Sequence, residues 1–268
     1  MLIKTNGISV DYRDGGTGIP VIFIHAFPLN QSMWDDQLVA LQDYCRTITL
    51  DLRGFGRSDA PQGPSLMDQM SADVRGLMTA LDIDRAVFVG LSMGGYVSLS
   101  IYRNYPDSVR AMVLADTRAG ADTAEARERR VKSAAKVEAS GSPAIAEDMI
   151  PFLLGQTTRG NRPDLIERVR AMIEANSPVG IAGAQRGMAE RRDSTDLLPA
   201  IDFPTLILVG AEDTLTNVGD ATNLAAAIRG ARLRVIEGAG HLSNLESPAA
   251  FNAALIEFIV TLNRLPAR

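Results

Sequence analysis

The chain has 268 residues, 46% of them apolar, and 27 basic against 32 acidic side chains give a formal net charge of −5. That length suits one α/β unit with a real core, interrupted at most by an inserted segment. A mildly acidic chain without basic clusters excludes nucleic acid and anionic membrane as main partners, and a single cysteine, Cys45, excludes an internal disulfide and any CxxC metal or redox pair.

Cys45 reads as a small buried hydrophobe. The opening MLIKTNGISVDYRDGG has no basic stretch followed by an apolar one, so no secretory signal is expected. No apolar run approaches the roughly 18 residues of a membrane span. The expected location is cytoplasmic, where the Asn30-Gln31-Ser32 glycosylation triplet goes unused.

In chain order, ISVDYRD alternates like a strand and Asp14-Gly15-Gly16 closes it as a turn. PVIFIH is a continuous apolar run, the pattern of a strand buried on both faces. SMWDDQLVALQD has helical spacing, with Ser32 as its expected N-cap. RTITLDLRG reads as strand and loop, and LMDQMSADVRGLMTALDI as a long amphipathic helix. RAVFVG is a strand, YVSLSIYRNYP a helix and VRAMVLAD a strand. This alternation predicts βαβ units and a parallel sheet.

The rhythm breaks over residues 117–198, where AEARERRVKSAAKVEA, SPAIAEDMIPFLLG, RPDLIERVRAMIEA and GIAGAQRGMAERR all read as helices. It resumes with PTLILVG, a helix in ATNLAAAIRG, the strand RLRVIEG and a last helix in PAAFNAALIEFIVTLNR. The expectation is an α/β core made of residues 1–116 and 199–268, with a helical insertion at 117–198.

One junction carries chemistry. In VFVGLSMGGYVSL a strand meets a helix across Gly90-x-Ser92-x-Gly94. A serine projected from the carboxyl edge of a sheet needs a sharp turn, and residues two before and two after it would collide if they had side chains. The helix start then favours negative charge nearby. A serine hydroxyl needs a base, and there are two histidines. His241 follows the last strand and so reaches the same edge, whereas His25 ends an early one. The base needs an acid to fix its tautomer. Asp213 follows the preceding strand; Asp116 competes, and otherwise reads as a cap for the insertion.

Strand, Gly-x-Ser-x-Gly and helix form the nucleophile elbow of α/β-hydrolases, and Ser92, Asp213, His241 keep that fold's chain order. With IHAFPLNQSMW, DLRGFGRSDAP, GLSMGGYVSL, LVGAEDTLTN and GAGHLSNLESP, the chain resembles that superfamily over nearly its whole length. Within it the likeness is to small bacterial carboxylesterases, enol-lactonases and cofactor-free haloperoxidase-type esterases. The resemblance implies an α/β-hydrolase fold: a mostly parallel central sheet, helices on both faces, and a helical cap. It implies catalysis by Ser92, Asp213 and His241, with an oxyanion hole formed by the backbone N–H groups of Phe27 and Met93. It also implies that His25 orients its loop without moving protons. One departure is His25-Ala26 where the family has His-Gly, because alanine disfavours positive φ.

RGFGRSD lacks the third glycine of a dinucleotide loop, and no Walker A, HExxH or EF-hand spacing occurs. No metal or cofactor is expected. The insertion's apolar residues, Met149, Ile150, Phe152, Leu153, Leu154, Met172 and Met188, mostly pack it onto the core. Phe27, Met93, Met149, Phe152 and Leu153 are the candidate substrate-binding residues, and the insertion's Arg and Glu residues read as a solvated face. The expected activity is cleavage of small carboxylic esters or lactones through an acyl-enzyme. A C–C bond hydrolase and a hydroxynitrile-type lyase would use the same triad, and a triad-bearing small-molecule receptor would bind without turnover.

Overall fold

The computed structural model describes residues 1–264. Eight strands form one sheet: β1 (Leu2–Thr5), β2 (Ile8–Gly15), β3 (Pro20–Ile24), β4 (Arg46–Leu50), β5 (Ala86–Leu91), β6 (Val109–Ala115), β7 (Thr205–Gly210) and β8 (Arg232–Ile236), in the order β1-β2-β4-β3-β5-β6-β7-β8. β1 pairs with β2, and β2 with β4, antiparallel; the pairs from β4 to β8 are parallel. β5 is buried at every residue, which accounts for the unbroken apolar run of the central strand.

The helices between parallel strands are α1 (Asp35–Leu41), α2 (Met67–Ala80), α3 (Met93–Asn104) and α9 (Val218–Ala227). Chain direction across the sheet reverses after β4, and right-handed crossovers then place α1 on one face and α2 and α3 on the other. The terminal helix α11 (Pro248–Asn263) packs on α1. Between β6 and β7 lie α4 (Ala124–Ser140), α5 (Ser142–Leu153), α6 (Gln156–Asn161), α7 (Pro163–Glu174) and α8 (Pro178–Ala189). Here α4 packs on α8, and α5 on α7. A short α10 (Ser243–Glu246) precedes α11.

Some details depart from the sequence reading. The 3-10 turn Gln31–Trp34 precedes α1, and its N-cap is Asn30, whose side chain accepts from Ser32 N at 3.1 Å. Ser32 is therefore capped and does not cap. The insertion's charges are not all solvated. Asp122 is buried among Arg118, Arg130 and Arg191, and Arg191 is itself buried with its guanidinium 4.0 Å over the Tyr96 ring. Cys45 is a buried free thiol, and burial pushes it up to about 12. Among the described residues no helix is long and apolar enough to cross a membrane.

Candidate active site

The carboxyl ends of the parallel strands deliver one polar residue after another to the same edge. His25 follows β3, Ser92 follows β5, Asp116 follows β6, Asp213 lies just beyond β7, and His241 lies beyond β8. Ser92 sits at the elbow with φ 54° and ψ −111°, a region that costs a non-glycine residue about 1–3 kcal/mol. Neighbours hold it there. Its N–H donates to Ala115 O at 2.9 Å, and its carbonyl accepts from Gly95 N and from the Thr117 hydroxyl. The two glycines behave as the collision argument requires. A Cβ on Gly90 would lie 2.3 Å from Gly94 O, and one on Gly94 would lie 2.1 Å from Ile24 O.

Ser92 Oγ is 2.8 Å from His241 Nε2, and His241 Nδ1 is 2.8 Å from Asp213 Oδ2. Ser92 stays partly exposed while His241 and Asp213 are buried. Asp213 is fixed by its own turn: Oδ1 accepts from Leu215 N at 2.7 Å and Thr216 N at 3.0 Å, and Oδ2 accepts from the Thr216 hydroxyl at 2.7 Å. Burial works to raise the Asp213 pKa, but the His241 charge and these hydrogen bonds outweigh it, so the carboxylate titrates below its usual range. Burial works to lower His241, and Asp213 overrides it upward. With Nδ1 donating to Asp213, Nε2 is free to accept the serine proton.

Asp116 reaches the same edge but not the imidazole. Its Oδ1 accepts from Gly210 N at 2.8 Å and its Oδ2 from the Ser243 hydroxyl. It is not a helix cap: it sits at φ 45°, fully buried, tying β7 to the start of α10. Burial, and next the Asp213 charge, push its carboxyl well above the usual range.

His25 is fully buried. Its Nε2 accepts from Leu52 N at 3.0 Å and its Nδ1 donates to Ala26 O at 2.9 Å. Both nitrogens are engaged in backbone, and burial lowers its pKa, so it holds the loops after β3 and β4 together as a neutral ring. Ala26 is not among the non-glycine residues with positive φ, which are Asn6, Asp82, Ser92 and Asp116. The turn after it is closed by Leu29 N donating to Ala26 O at 2.9 Å. Phe27 and Met93 are buried where the turn after β3 and the elbow after β5 end adjacent strands.

Of the remaining candidates, Leu153 is fully buried and its carbonyl accepts from Leu242 N, one residue beyond His241, at 3.1 Å. Met149 is partly buried against the core, and Phe152 is 55% exposed at the surface of α5. Sequence reasoning did not single out Thr216 or Glu246. The Asx turn here is closed by Leu215 N, two residues after Asp213, and carried no sequence signal for Thr216.

A family model described as alpha/beta hydrolase fold matches residues 19–248. The chain is 33% identical over 235 residues to 3-oxoadipate enol-lactonase 2 of Acinetobacter baylyi, covering 88% of this chain and 86% of the relative. A malate-bound thermophilic esterase from Thermogutta terrifontis superposes with a TM-score of 0.96 at 41% identity, covering 98% and 99% of the two chains. The enol-lactonase from Burkholderia xenovorans LB400 superposes with a TM-score of 0.91 at 29% identity, covering 97% and 100%. The matched span takes in β3 to β8, the elbow at Ser92, Asp213 and His241, and the chain belongs to the alpha/beta hydrolase fold family.

Proposed function

We propose that this chain is a serine hydrolase cleaving small carboxylic esters or lactones through an acyl-enzyme, with Ser92 as nucleophile, His241 as base and Asp213 as its orienting acid. The observation that carries this reading is the hydrogen-bonded chain from Ser92 Oγ through His241 to Asp213, with both contacts at 2.8 Å. The similarity to an esterase and to enol-lactonases supports the substrate class.

In the forward half-reaction Ser92 Oγ attacks the ester carbonyl while its proton passes to His241 Nε2. Asp213 stabilises the imidazolium so formed and keeps the ring in register. The negative charge on the carbonyl oxygen is taken up by the amides of Phe27 and Met93, each donor of this kind being worth about 2.7–4 kcal/mol. The C–O bond then breaks and His241 Nε2 returns its proton to the leaving alcohol, or to the freed hydroxyl of an opened lactone. Water attacks the acyl-enzyme, giving its proton to His241, and the same steps in reverse release the carboxylic acid and restore Ser92. Residues 117–198 act as a cap over this edge, and Met149 and Leu153 are its contributions to the acyl side of the pocket. The protein needs no cofactor in this scheme.

Stopped-flow hydrolysis of p-nitrophenyl acetate tests the reading. A burst of one equivalent followed by steady turnover is expected, and a panel of esters, lactones and diketones then ranks the substrate classes. Binding without a burst or turnover would replace the hydrolase with a receptor. Turnover of diketones alone would replace it with a C–C bond hydrolase.

A further inference from the structure

The loop carrying His241 is held by a carboxylate that takes no part in the steps above. Glu246, on α10, is buried. Its Oε1 accepts from Gly240 N at 3.0 Å and from Leu242 N at 3.1 Å, the amides on either side of His241. Its Oε2 accepts from Gly155 N at 2.8 Å, at the start of α6 in the inserted segment, near the buried Thr158. One carboxylate thus brackets the catalytic imidazole's backbone with one oxygen and grips the insertion with the other.

The same piece of the insertion is fastened to the neighbouring loops at further points. Leu242 N donates to Leu153 O at 3.1 Å. Thr157 N donates to Glu212 Oε2 at 2.8 Å, and the Thr157 hydroxyl bonds Glu212 Oε1; Glu212 immediately precedes Asp213. Gly155 and Gly240 approach so closely that a Cβ on Gly240 would lie 2.3 Å from Gly155 N. No side chain fits between the two segments, so a shift of one displaces the other.

We propose that Glu246 is a positioning residue: it sets the alignment of His241 on Ser92 and makes that alignment depend on the seating of segment 153–158. This rests on the reading of Ser92, His241 and Asp213 as the catalytic triad. A carboxylate suits the role because it accepts from three amides at once. A glutamine presents one accepting oxygen, so either the His241 bracket or the Gly155 contact must face an N–H donor.

The test is Glu246→Gln, with active sites counted from the p-nitrophenyl acetate burst. Displacements of an ångström or less at a general base cost on the order of 10–100-fold. The expected result is an unchanged burst per folded chain, KM within about twofold of wild type, and a kcat per titrated site lower by roughly 10–100-fold. The midpoint of the acid limb of kcat/KM should also move down, because the negative charge that Glu246 places near His241 is lost while that of Asp213 remains. A purely structural role would lower the number of active sites or the melting temperature and leave kcat per site and the limb at wild-type values; that outcome overturns the proposal. Should Glu246→Gln not fold, Glu246→Asp is judged by KM and kcat per titrated site alone, since its shorter arm keeps the charge, and with it the acid limb, but cannot span from the His241 loop to Gly155; wild-type kcat per site in that variant overturns the proposal. A wild-type enzyme with no burst would instead refute the triad reading on which the proposal stands.

Discussion

Asp116 and Asp213 are buried at one edge of the sheet, and their surroundings drive their ionisation apart. Asp213 is held ionised by His241 and Thr216, while Asp116, with no ion-pair partner among the described residues, is pushed up by burial and by Asp213 itself. In the proposed mechanism such a split makes Asp213 the working carboxylate. Asp213→Asn should lower kcat on the order of 10⁴-fold, because the wrong imidazole tautomer is then favoured. Asp116→Asn should cost far less, and steady-state kinetics showing the reverse ranking would move the acid to β6. The pH profile follows from His241. The ring must be neutral to take the serine proton, and its pKa is raised above the ordinary value of about 6.5 because Asp213 outweighs burial. The kcat/KM should therefore rise with one ionisation whose midpoint lies above that value. The stability contribution has the opposite sense: it is fully present below the unfolded pKa of the histidine and is lost as pH rises through the folded one. His25→Gln should keep the limb, since His25 is a neutral backbone tie. Loss of the limb in that variant would exchange the roles of the two histidines.

At the scale of the element, the junctions at the carboxyl edge decide the site. Gly90 and Gly94 let β5, α3 and β3 meet without side chains, and the alanine at position 26 lies in the neighbouring turn. Ala26 has settled outside the positive-φ region, so Ala26→Gly adds unfolded-state freedom and removes a buried methyl. The variant should lose about 0.5–1 kcal/mol of stability, with ester turnover unchanged or slightly lower. A thermal melt showing stabilisation together with several-fold faster turnover would mean that the turn is strained. These junctions were legible in the sequence because each coincides with a change of period from strand to helix around glycine. The elements that escaped it are short: β1 has four residues, α6 six and α10 four, too few to establish the period of a strand or of a helix. The Asn30 cap was misread as Ser32 because both are good capping residues two positions apart. Glu246 was invisible for a different reason. In HLSNLESP it looks like an ordinary acidic residue before a helix, and only the tertiary approach of Gly155 shows that it is buried.

Across the whole molecule, the α/β core presents its carboxyl edge to the inserted helices, and a buried charge cluster joins the two. Asp122, at the start of the insertion, faces Arg130 of α4 and Arg191 beyond α8, and Arg191 stacks on Tyr96 of α3. Removing the one carboxylate leaves the buried Arg191 guanidinium without its ion-pair partner, which costs about 3–5 kcal/mol. Asp122→Ala should lower Tm by roughly 6–20 °C for a chain of this size, and a differential scanning experiment showing no shift would mean the cluster is fully hydrated. The cluster was not legible because arginine and glutamate on a helix read as solvated until the packing of α4 on α8 and of Arg191 on α3 is known. Whether strand and helix bend at Ser92 to present a nucleophile to His241 is decided by peptide-resolved mass spectrometry after treatment with a fluorophosphonate. One adduct is expected, on Ser92, with hydrolysis abolished in step with labelling and no adduct in Ser92→Ala, whose residual turnover should lie roughly 10⁴–10⁶-fold below wild type. An adduct on another residue, or full hydrolytic activity in Ser92→Ala, would contradict that role for Ser92.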